Sequence, residues 1–341
     1  MIRAFSLALR AVAWVFSWVV TLAAVFVALL WGTGRVLTDT VPPLQQLHWI
    51  PTVAALAVTM LALVFLSITA RSAAMRRWRS ALWIVACLQG SVLLLQDWRP
   101  LSRPIAAPAG TDAAAPIRIA HVNANWPGTE SFERASAYAR CARDAWGESG
   151  ADVLFISETG SVLSIEAQSA LVADDRSVVF VGRFGVVSRV PVLRAMALMD
   201  DGKIAASWVE FGSWRGNAPF TTLLVDLPSD PALSRRDVLA RMTASLRGRM
   251  TQEPDLVIGD MNVARGSGSV ASVWPRYREA FAQQGRGWGG TYPRHLPLWH
   301  IDLMLIGARV RLLDYSVRDP GAGKHSMQCA AMLFGDTGGR P

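Results

Sequence analysis

Several hydrophobic runs after residue 116 of this 341-residue sequence are followed or interrupted by polar residues that could do chemistry. Carboxylate and amide oxygens suit Mg²⁺, which uses one or two carboxylates and keeps several waters. An Asp–His pair suits activation of water by a general base, and Asn donors can orient phosphate oxygens. The candidates are Asn123 and Asn125 in HVNANW, Glu158 in DVLFISET, Asp260 and Asn262 in DLVIGDMN, His300 and Asp302 in WHIDLMLI, and His325 in GKHS.

The elements that must position these residues alternate between strand and helix patterns. Helical spacing predicts helices over residues 131–145 and 235–250. The alternation predicts a two-layered or sandwiched α/β domain, in which strand ends converge at one rim of a sheet. Hydrophobic runs predict strands at 117–122, 152–157, 178–181, 220–225, 255–258 and 301–306.

Before this domain, the sequence contains three apolar runs without charged residues, at 11–31, 49–70 and 80–96. About 20 helical residues cross a bilayer, so the first two runs predict membrane spans. The third is shorter and contains Gln89; we favour a third span over an interfacial or re-entrant helix. The first run is too long for a typical signal peptide and no clear cleavage site follows it, which favours a retained anchor.

Arginines predict the orientation of these spans. Arg3 and Arg10 precede the first span, and four arginines fill the loop before the third. Because positive residues stay in the cytoplasm, we expect a cytoplasmic N-terminus and a C-terminal domain outside the cytoplasmic (inner) membrane. The predicted organisation is a transmembrane region over 1–97, a linker rich in Pro and Ala over 98–116, and one globular domain over 117–341.

The net charge of +8 follows the same division. Nine arginines and three aspartates lie before residue 117, which leaves 25 basic and 23 acidic residues after it, a net charge of +2. Most of the basic excess therefore belongs to membrane topology, and charge does not indicate nucleic acid as a partner. Cys87 lies in a predicted span, and no disulfide is expected between Cys141 and Cys329.

From residue 117 to about 333, the sequence resembles the endonuclease/exonuclease/phosphatase family, which has the DNase-I-like fold. The resemblance implies a four-layer α/β sandwich after the transmembrane segment. Its motifs occur in the family's order: Asn123, Glu158, GVVSRVPV at 185–192, VDLPSD at 225–230, GDMN at 259–262, TYP and HID within 291–302, and His325.

The resemblance also implies roles for individual residues. Glu158 would be the principal ligand of Mg²⁺ or Mn²⁺, with Asn123 near it and Asn125 as a further candidate. Asp260 would position the attacking water and Asn262 would hold the phosphate. His325, oriented by Asp302, would act as a base or bind the phosphoryl group. A strand-end Asp or Asn is often only a turn cap, a surface glutamate is often only solvated, and His121, His295 and His300 are expected to have structural roles. No other cofactor is expected.

Two residues depart from the family pattern, and both are further candidates for the site. Asp226 stands where relatives usually have a histidine, and its carboxylate would repel phosphate unless protonated or bound to metal. Lys324 stands where relatives have an aspartate before the last histidine. The lysine could face solvent, pair with Asp226 or reach the substrate phosphate. Both departures leave the fold prediction intact and bear on activity.

These observations favour a metal-dependent phosphoesterase or pyrophosphatase. The architecture resembles a membrane-anchored branch of the family linked to glycopeptide resistance, which implies a polyprenyl-pyrophosphate or phospholipid substrate and membrane lipids as partners. One alternative is a nuclease outside the membrane. The other is a degenerate domain that binds phosphorylated ligands without hydrolysing them. The oligomeric state does not follow from the sequence.

Overall fold

The computed structural model describes residues 2–69, 72–106, 114–124, 143–147, 149–159, 175–321 and 323–335. Most of the helix predicted over 131–145, together with Asn125 and Cys141, lies outside these residues. The chain divides into two compact units, Met1–Trp98 and Arg99–Pro341.

Helices make up the first unit. Ile2–Leu37 (α1), Thr52–Thr69 (α2) and Ala73–Val92 (α3) are α-helices, Pro42–Trp49 is a 3₁₀ helix and Leu93–Asp97 is a π turn. In the part of the chain that the structure describes, three segments are long and apolar enough to cross a membrane: Ala11–Leu37, Thr52–Thr69 and Ala73–Asp97. The first and third are longer than predicted. The third begins before its arginines because Ser72 caps α3 by accepting a hydrogen bond from the Met75 N–H at 3.2 Å.

The three helices pack through small and aliphatic side chains. Ala24, Ala62, Leu63, Leu66 and Ala86 are buried between them. Many large apolar side chains instead face outward, including Phe26, Ile68 and Ile84. Close approach through small residues and an apolar outer surface are both features of helices in lipid.

Strands dominate the second unit. Among its described residues, helices lie at 143–147 and at Arg235–Leu246 (α4), Gly268–Val273 (α5) and Ala280–Gln284 (α6). The strands are Trp98–Arg99 (β1, across the boundary of the units), Ile117–Asn123 (β2), Val153–Ser157 (β3), Ser177–Val181 (β4), Phe184–Ser188 (β5), Val192–Asp200 (β6), Ala205–Phe211 (β7), Phe220–Asp226 (β8), Leu256–Asp260 (β9), Arg278–Glu279 (β10), Gly285–Trp288 (β11), Asp302–Ile306 (β12), Val310–Arg318 (β13) and Met327–Phe334 (β14).

Two sheets pack face to face. Counting strands wholly inside the unit, the larger has the order β11-β13-β14-β2-β3-β5-β4 and the smaller β10-β12-β9-β8-β7-β6. Aromatic rings fill the space between them; Phe220 stacks on Phe211 and on Phe334. Helix α4 covers the outer face of the smaller sheet, and residues 143–147 pack on the outer face of the larger one. The unit is a mixed two-sheet α/β sandwich, as predicted.

Strand register brings the polar residues to one rim. In the smaller sheet β8 and β9 are parallel, with Asp226 opposite Asp260, and Asp302 at the start of antiparallel β12 also faces Asp260. In the larger sheet, parallel β2 and β3 place Asn123 opposite Ser157, the residue before Glu158. Two carboxylates therefore flank Asp260 on its neighbouring strands.

Gly259 permits the close approach of β8 and β9 just before Asp260. Its φ is 153°, and a Cβ there would lie 1.7 Å from the carbonyl oxygen of Val225. We expect Gly259→Ala to destabilise the unit by about 3 kcal/mol or more, because backbone must move to relieve the clash. Gly248→Ala is the control, since Gly248 has a positive φ in open space and should cost about 1 kcal/mol. Chemical denaturation of the two variants compares these losses; equal losses would contradict the steric argument.

Candidate active site

Seven of the candidate residues lie at the rim described above. Asn123 ends β2, Glu158 follows β3, Asp226 ends β8 and Asp260 ends β9. Asn262 follows β9, Asp302 begins β12 and His325 precedes β14. All are buried except Glu158, which is partly exposed. The structure therefore gathers side chains from both sheets into one largely desolvated cluster.

Asn123 joins the two sheets at this cluster. Its side-chain nitrogen donates to Asp260 Oδ2 at 2.9 Å and to Glu158 Oε1 at 3.3 Å. Glu158 belongs to the larger sheet and Asp260 to the smaller one, so the amide bridges carboxylates from both. The bridge fixes the separation of two acidic groups that would otherwise repel each other.

His325 lies between two aspartates. Its Nδ1 is 2.9 Å from Asp302 Oδ2, and its Nε2 is 3.9 Å from Asp260 Oδ2. Burial disfavours the charged ring, but Asp302 and then Asp260 outweigh burial and raise the pKa of His325 to about 9. The ring of Tyr292 packs 4.9 Å from the imidazole, centroid to centroid. In this arrangement the imidazole is a cation at neutral pH and a hydrogen-bond donor at both nitrogens.

Asn262 is held in a strained conformation. Its φ is 46°, a left-handed backbone that an asparagine tolerates. The backbone N–H of Asn262 donates to Asp260 Oδ1 at 2.9 Å, and its side-chain nitrogen donates to the carbonyl of Leu227 at 2.7 Å. One of its two amide hydrogens is thus used for structure, which leaves the other to meet a ligand. Glu158 also has a positive φ, 53°; such strain is concentrated at functional sites.

Asp226 contacts Arg183. The carboxylate accepts from Arg183 Nη1 at 3.4 Å, while the same guanidinium binds Asp200 at 2.7 Å. Burial and the nearby Glu158 raise the pKa of Asp226 to about 7, and Arg183 opposes this shift. Arg183 lies in the two-residue turn between β4 and β5, which Gly182 enters with a φ of 59°. Sequence reasoning missed this arginine, which lies two residues before the GVVSRVPV motif.

The ion pair suggested between Lys324 and Asp226 is not formed. Lys324 is exposed, and its backbone carbonyl accepts from the Arg294 N–H at 2.7 Å. Asp226 pairs with Arg183 instead, and the exposed position of Lys324 agrees with the solvent-facing alternative. Contact between this lysine and a substrate phosphate stays a prediction. Asn125, the other additional candidate, lies outside the described residues.

A divalent cation fits the carboxylates of this cluster. Oxygen atoms of Glu158, Asp226 and Asp260 lie within 4.8 Å of one another, and atoms of Asp260, Asp302 and His325 form a second such group. Burial and Asp302 raise the pKa of Asp260 well above its usual value. Buried carboxylates with raised pKa values need positive charge to remain ionised. The carboxylate oxygens of Glu158, Asp226 and Asp260 form an all-oxygen donor set that matches Mg²⁺ or Mn²⁺.

A buried hydrogen-bonded chain lies beneath the site. His121 Nε2 contacts Ser157 Oγ at 2.8 Å, and its Nδ1 contacts Gln328 Nε2 at 2.9 Å. The Tyr315 hydroxyl donates to Gln328 Oε1 at 2.5 Å. Burial lowers the pKa of His121 to about 4, so this histidine is neutral. His121 is therefore structural, as expected, and supports the strand that carries Asn123.

The two other histidines of the second unit, His295 and His300, form no ion pair with the seven residues at the rim. The buried ring of His300 packs against Phe281 and Tyr315. His295 is exposed beside Arg294. Both arrangements agree with the structural roles expected from the sequence.

Comparison with known proteins identifies the fold. No protein-family model and no curated protein matches the sequence. Solved structures that are similar include an endonuclease/exonuclease/phosphatase family protein from Bacteroides thetaiotaomicron (TM-score 0.51, 14% identity, 65% of this chain and 98% of that one). A mannosyl-6-phosphatase from Bacteroides thetaiotaomicron VPI-5482 (TM-score 0.51, 12% identity, 64% and 100%) and an endonuclease/exonuclease/phosphatase from Bacteroides vulgatus (TM-score 0.50, 15% identity, 64% and 99%) are also similar.

The two-sheet domain of this chain therefore has the fold of these proteins, the DNase-I-like fold predicted from the sequence. Three apolar helices precede it. At identities of 12–15% the likeness is one of fold, and function has to be argued from the site itself.

Proposed function

We propose that this protein is a membrane-anchored, metal-dependent phosphoesterase or pyrophosphatase. The observation that carries the proposal is the joint position of Glu158, Asp226 and Asp260 within 4.8 Å and of the His325–Asp302 pair at the same rim. Cation ligands thus stand beside a donor for anionic oxygen, the combination that phosphoryl transfer needs.

In this proposal Glu158 and Asp226 would hold Mg²⁺ or Mn²⁺, and Asn123 orients Glu158. The cation, when bound, would neutralise charge that develops on the phosphoryl oxygens. Asp260 accepts a hydrogen bond from the attacking water and orients it. His325, held by Asp302 at 2.9 Å, donates a proton or hydrogen bond to a phosphoryl oxygen. The second amide hydrogen of Asn262 binds another oxygen of the same group.

The substrate class in this proposal follows from the anchor. Three apolar helices lead into the domain, and the third ends at Asp97. Only 18 residues lie between Asp97 and Pro116, the residue before β2. A domain tethered this closely meets lipid head groups at high effective concentration. We therefore propose a lipid-linked phosphate or pyrophosphate as substrate, with the N-terminus in the cytoplasm and the domain on the outer side.

An activity assay on the full-length protein in detergent tests the proposal. With Mg²⁺ or Mn²⁺, we expect phosphate release from a polyprenyl pyrophosphate or from phosphatidic acid, and loss of release after EDTA treatment. Duplex DNA serves as the competing substrate. Cleavage of DNA with no release from either lipid would make the protein a nuclease. Metal-dependent binding of these lipids without turnover would instead identify the non-hydrolytic domain.

A further inference from the structure

A cleft lies at the end of the sandwich opposite the candidate active site. It has a volume of about 1050 Å³ and is lined by the β7–β8 loop, the start of β13 and the end of β14. Strand β8 begins at Phe220 beside this cleft and ends at Asp226 in the site. Seven strand residues at about 3.3 Å each separate the two places by about 20 Å. The cleft is therefore a separate feature of the domain.

Four arginines line the cleft, and no aspartate or glutamate among the described residues does. Arg215 comes from the β7–β8 loop and Arg278 from β10. Arg309 comes from the turn before β13, and Arg311 from the start of β13. Guanidinium groups from both sheets thus surround one space. Because residues 117–341 carry a net charge of only +2, the cleft concentrates positive charge locally.

The four guanidinium groups differ in how many of their donors already bind protein atoms. Arg309 is tied to Asp255 at 3.4 Å and to two backbone carbonyls. Arg215 pairs with Asp152 at 3.4 Å and lies over the Trp214 ring. Arg278 donates one bond, to the carbonyl of Val310 at 3.3 Å, and Arg311 forms no ion pair with any described residue. Most donors of Arg278 and Arg311 are therefore available for a ligand.

The lining of the cleft adds no competing negative charge. Its described residues include no aspartate or glutamate. The cleft thus presents guanidinium forks, and its described lining has no carboxylate to compete with an anion.

We propose that this cleft binds a phosphate-bearing anion. The planar guanidinium pairs bidentately with phosphate oxygens, and several such groups around one space suit a ligand with more than one negative charge. A phospholipid head group and a soluble phosphate compound share this chemistry. The site is independent of the reaction proposed above, since its residues do not take part in it.

Hydrogen exchange on the full-length protein in nanodiscs tests the site directly. Exchange of residues 212–219 and 307–313 is compared in phosphatidylcholine, in phosphatidylcholine with phosphatidylglycerol, and in phosphatidylcholine with inorganic phosphate added. At a probe concentration about ten times the Kd, we expect about tenfold slower exchange in both segments. Slowing only with phosphatidylglycerol assigns the site to a lipid head group, and slowing with inorganic phosphate assigns it to a soluble phosphate.

Charge variants show whether the arginines cause the slowing. Arg311→Glu should remove it, Arg311→Lys should keep part of it, and Arg247→Glu, an exposed arginine on the C-cap of α4, should leave it unchanged. Arg311 is exposed, so its variants are expected to fold, which the thermal midpoint verifies. Unchanged exchange in every probe, or equal slowing in wild type and Arg311→Glu, would overturn the proposal.

Discussion

Glu158→Gln is expected to abolish divalent-metal binding and to lower metal-dependent hydrolysis at least about 10³-fold. The amide keeps the size and shape of the carboxylate but removes the negative charge that a hard cation requires. Asn123 Nδ2 lies 3.3 Å from Glu158 Oε1, and the substituted side chain still offers an amide oxygen to Asn123, so the fold should be preserved. A loss of binding without a loss of stability would identify Glu158 as a ligand.

Calorimetric titration with Mg²⁺ and Mn²⁺ measures this effect independently of turnover. The matched control is Glu253→Gln, the same substitution at an exposed glutamate on the loop before β9, which should bind metal like wild type. A folded Glu158→Gln protein with undiminished metal affinity would move the cation elsewhere, and the second group of Asp260, Asp302 and His325 would become the candidate.

Central strands of both sheets could be located from the sequence because a strand buried on both faces has a nearly continuous apolar run. The runs predicted at 117–122, 152–157, 220–225 and 301–306 correspond to β2, β3, β8 and β12 to within one or two residues. Every residue of β3, β8 and β12 is buried, so their apolar runs are nearly continuous. Hydrophobic pattern and strand position agree in these strands, whereas β5, in which every residue is also buried, was not predicted.

Strands that owe their conformation to pairing were missed. Strand β6 is an edge strand with a mostly half-exposed surface, and β14 is rich in Ala and Met, residues with weak strand preference. Antiparallel pairing with β7 fixes β6, and antiparallel pairing with β13 fixes β14. The local sequence of these segments does not indicate this pairing. The helix predicted to reach residue 250 ends at Leu246 because Gly248, with a φ of 77°, leads the chain away.

The site shows the same division between local and long-range information. Polar residues that interrupt a hydrophobic run are visible in the sequence, and the structure brings Asn123, Glu158, Asp260 and Asp302 together from four such runs. Arg183 was not visible, because it meets Asp226 across 43 positions through the packing of one sheet on the other. Partners of a charged residue depend on which turn faces it, and turn orientation is a property of the whole sandwich.

The remaining large effect concerns His325 and Asp302. We expect His325→Ala and Asp302→Asn each to lower the rate about 10²–10⁴-fold, the usual contribution of a positioned acid or base. The double variant should lose little beyond the worse single one, since residues that act as a unit are strongly non-additive. His295→Ala, which removes an exposed imidazole, should leave the rate unchanged.

Stability should depend on pH through the same pair. Burial opposes ionisation of Asp302, but His325 outweighs it and lowers the pKa of Asp302, while the two aspartates raise that of His325 to about 9. The unfolded imidazole has a pKa of about 6.5. The folded state therefore binds the proton more tightly. Its contribution, about 3 kcal/mol, is fully present below pH 6.5 and is lost as the pH rises through about 9.

The comparison of wild type with His325→Gln in EDTA isolates this contribution from metal binding. The wild type should exceed the variant in thermal midpoint most at about pH 6, and the advantage should shrink above about pH 9. A gap that does not change with pH would mean that packing against Tyr292, and not the ion pair, accounts for the stability. Multiplicative rate losses in the double variant would show, separately, that the two residues act independently. If the difference in thermal midpoint closes with rising pH while the rate losses are non-additive, the proton shared between the imidazole and Asp302 accounts for the stability effect and for the rate effect. The charge that stabilises the folded rim is the same charge that is proposed to meet the phosphoryl oxygen.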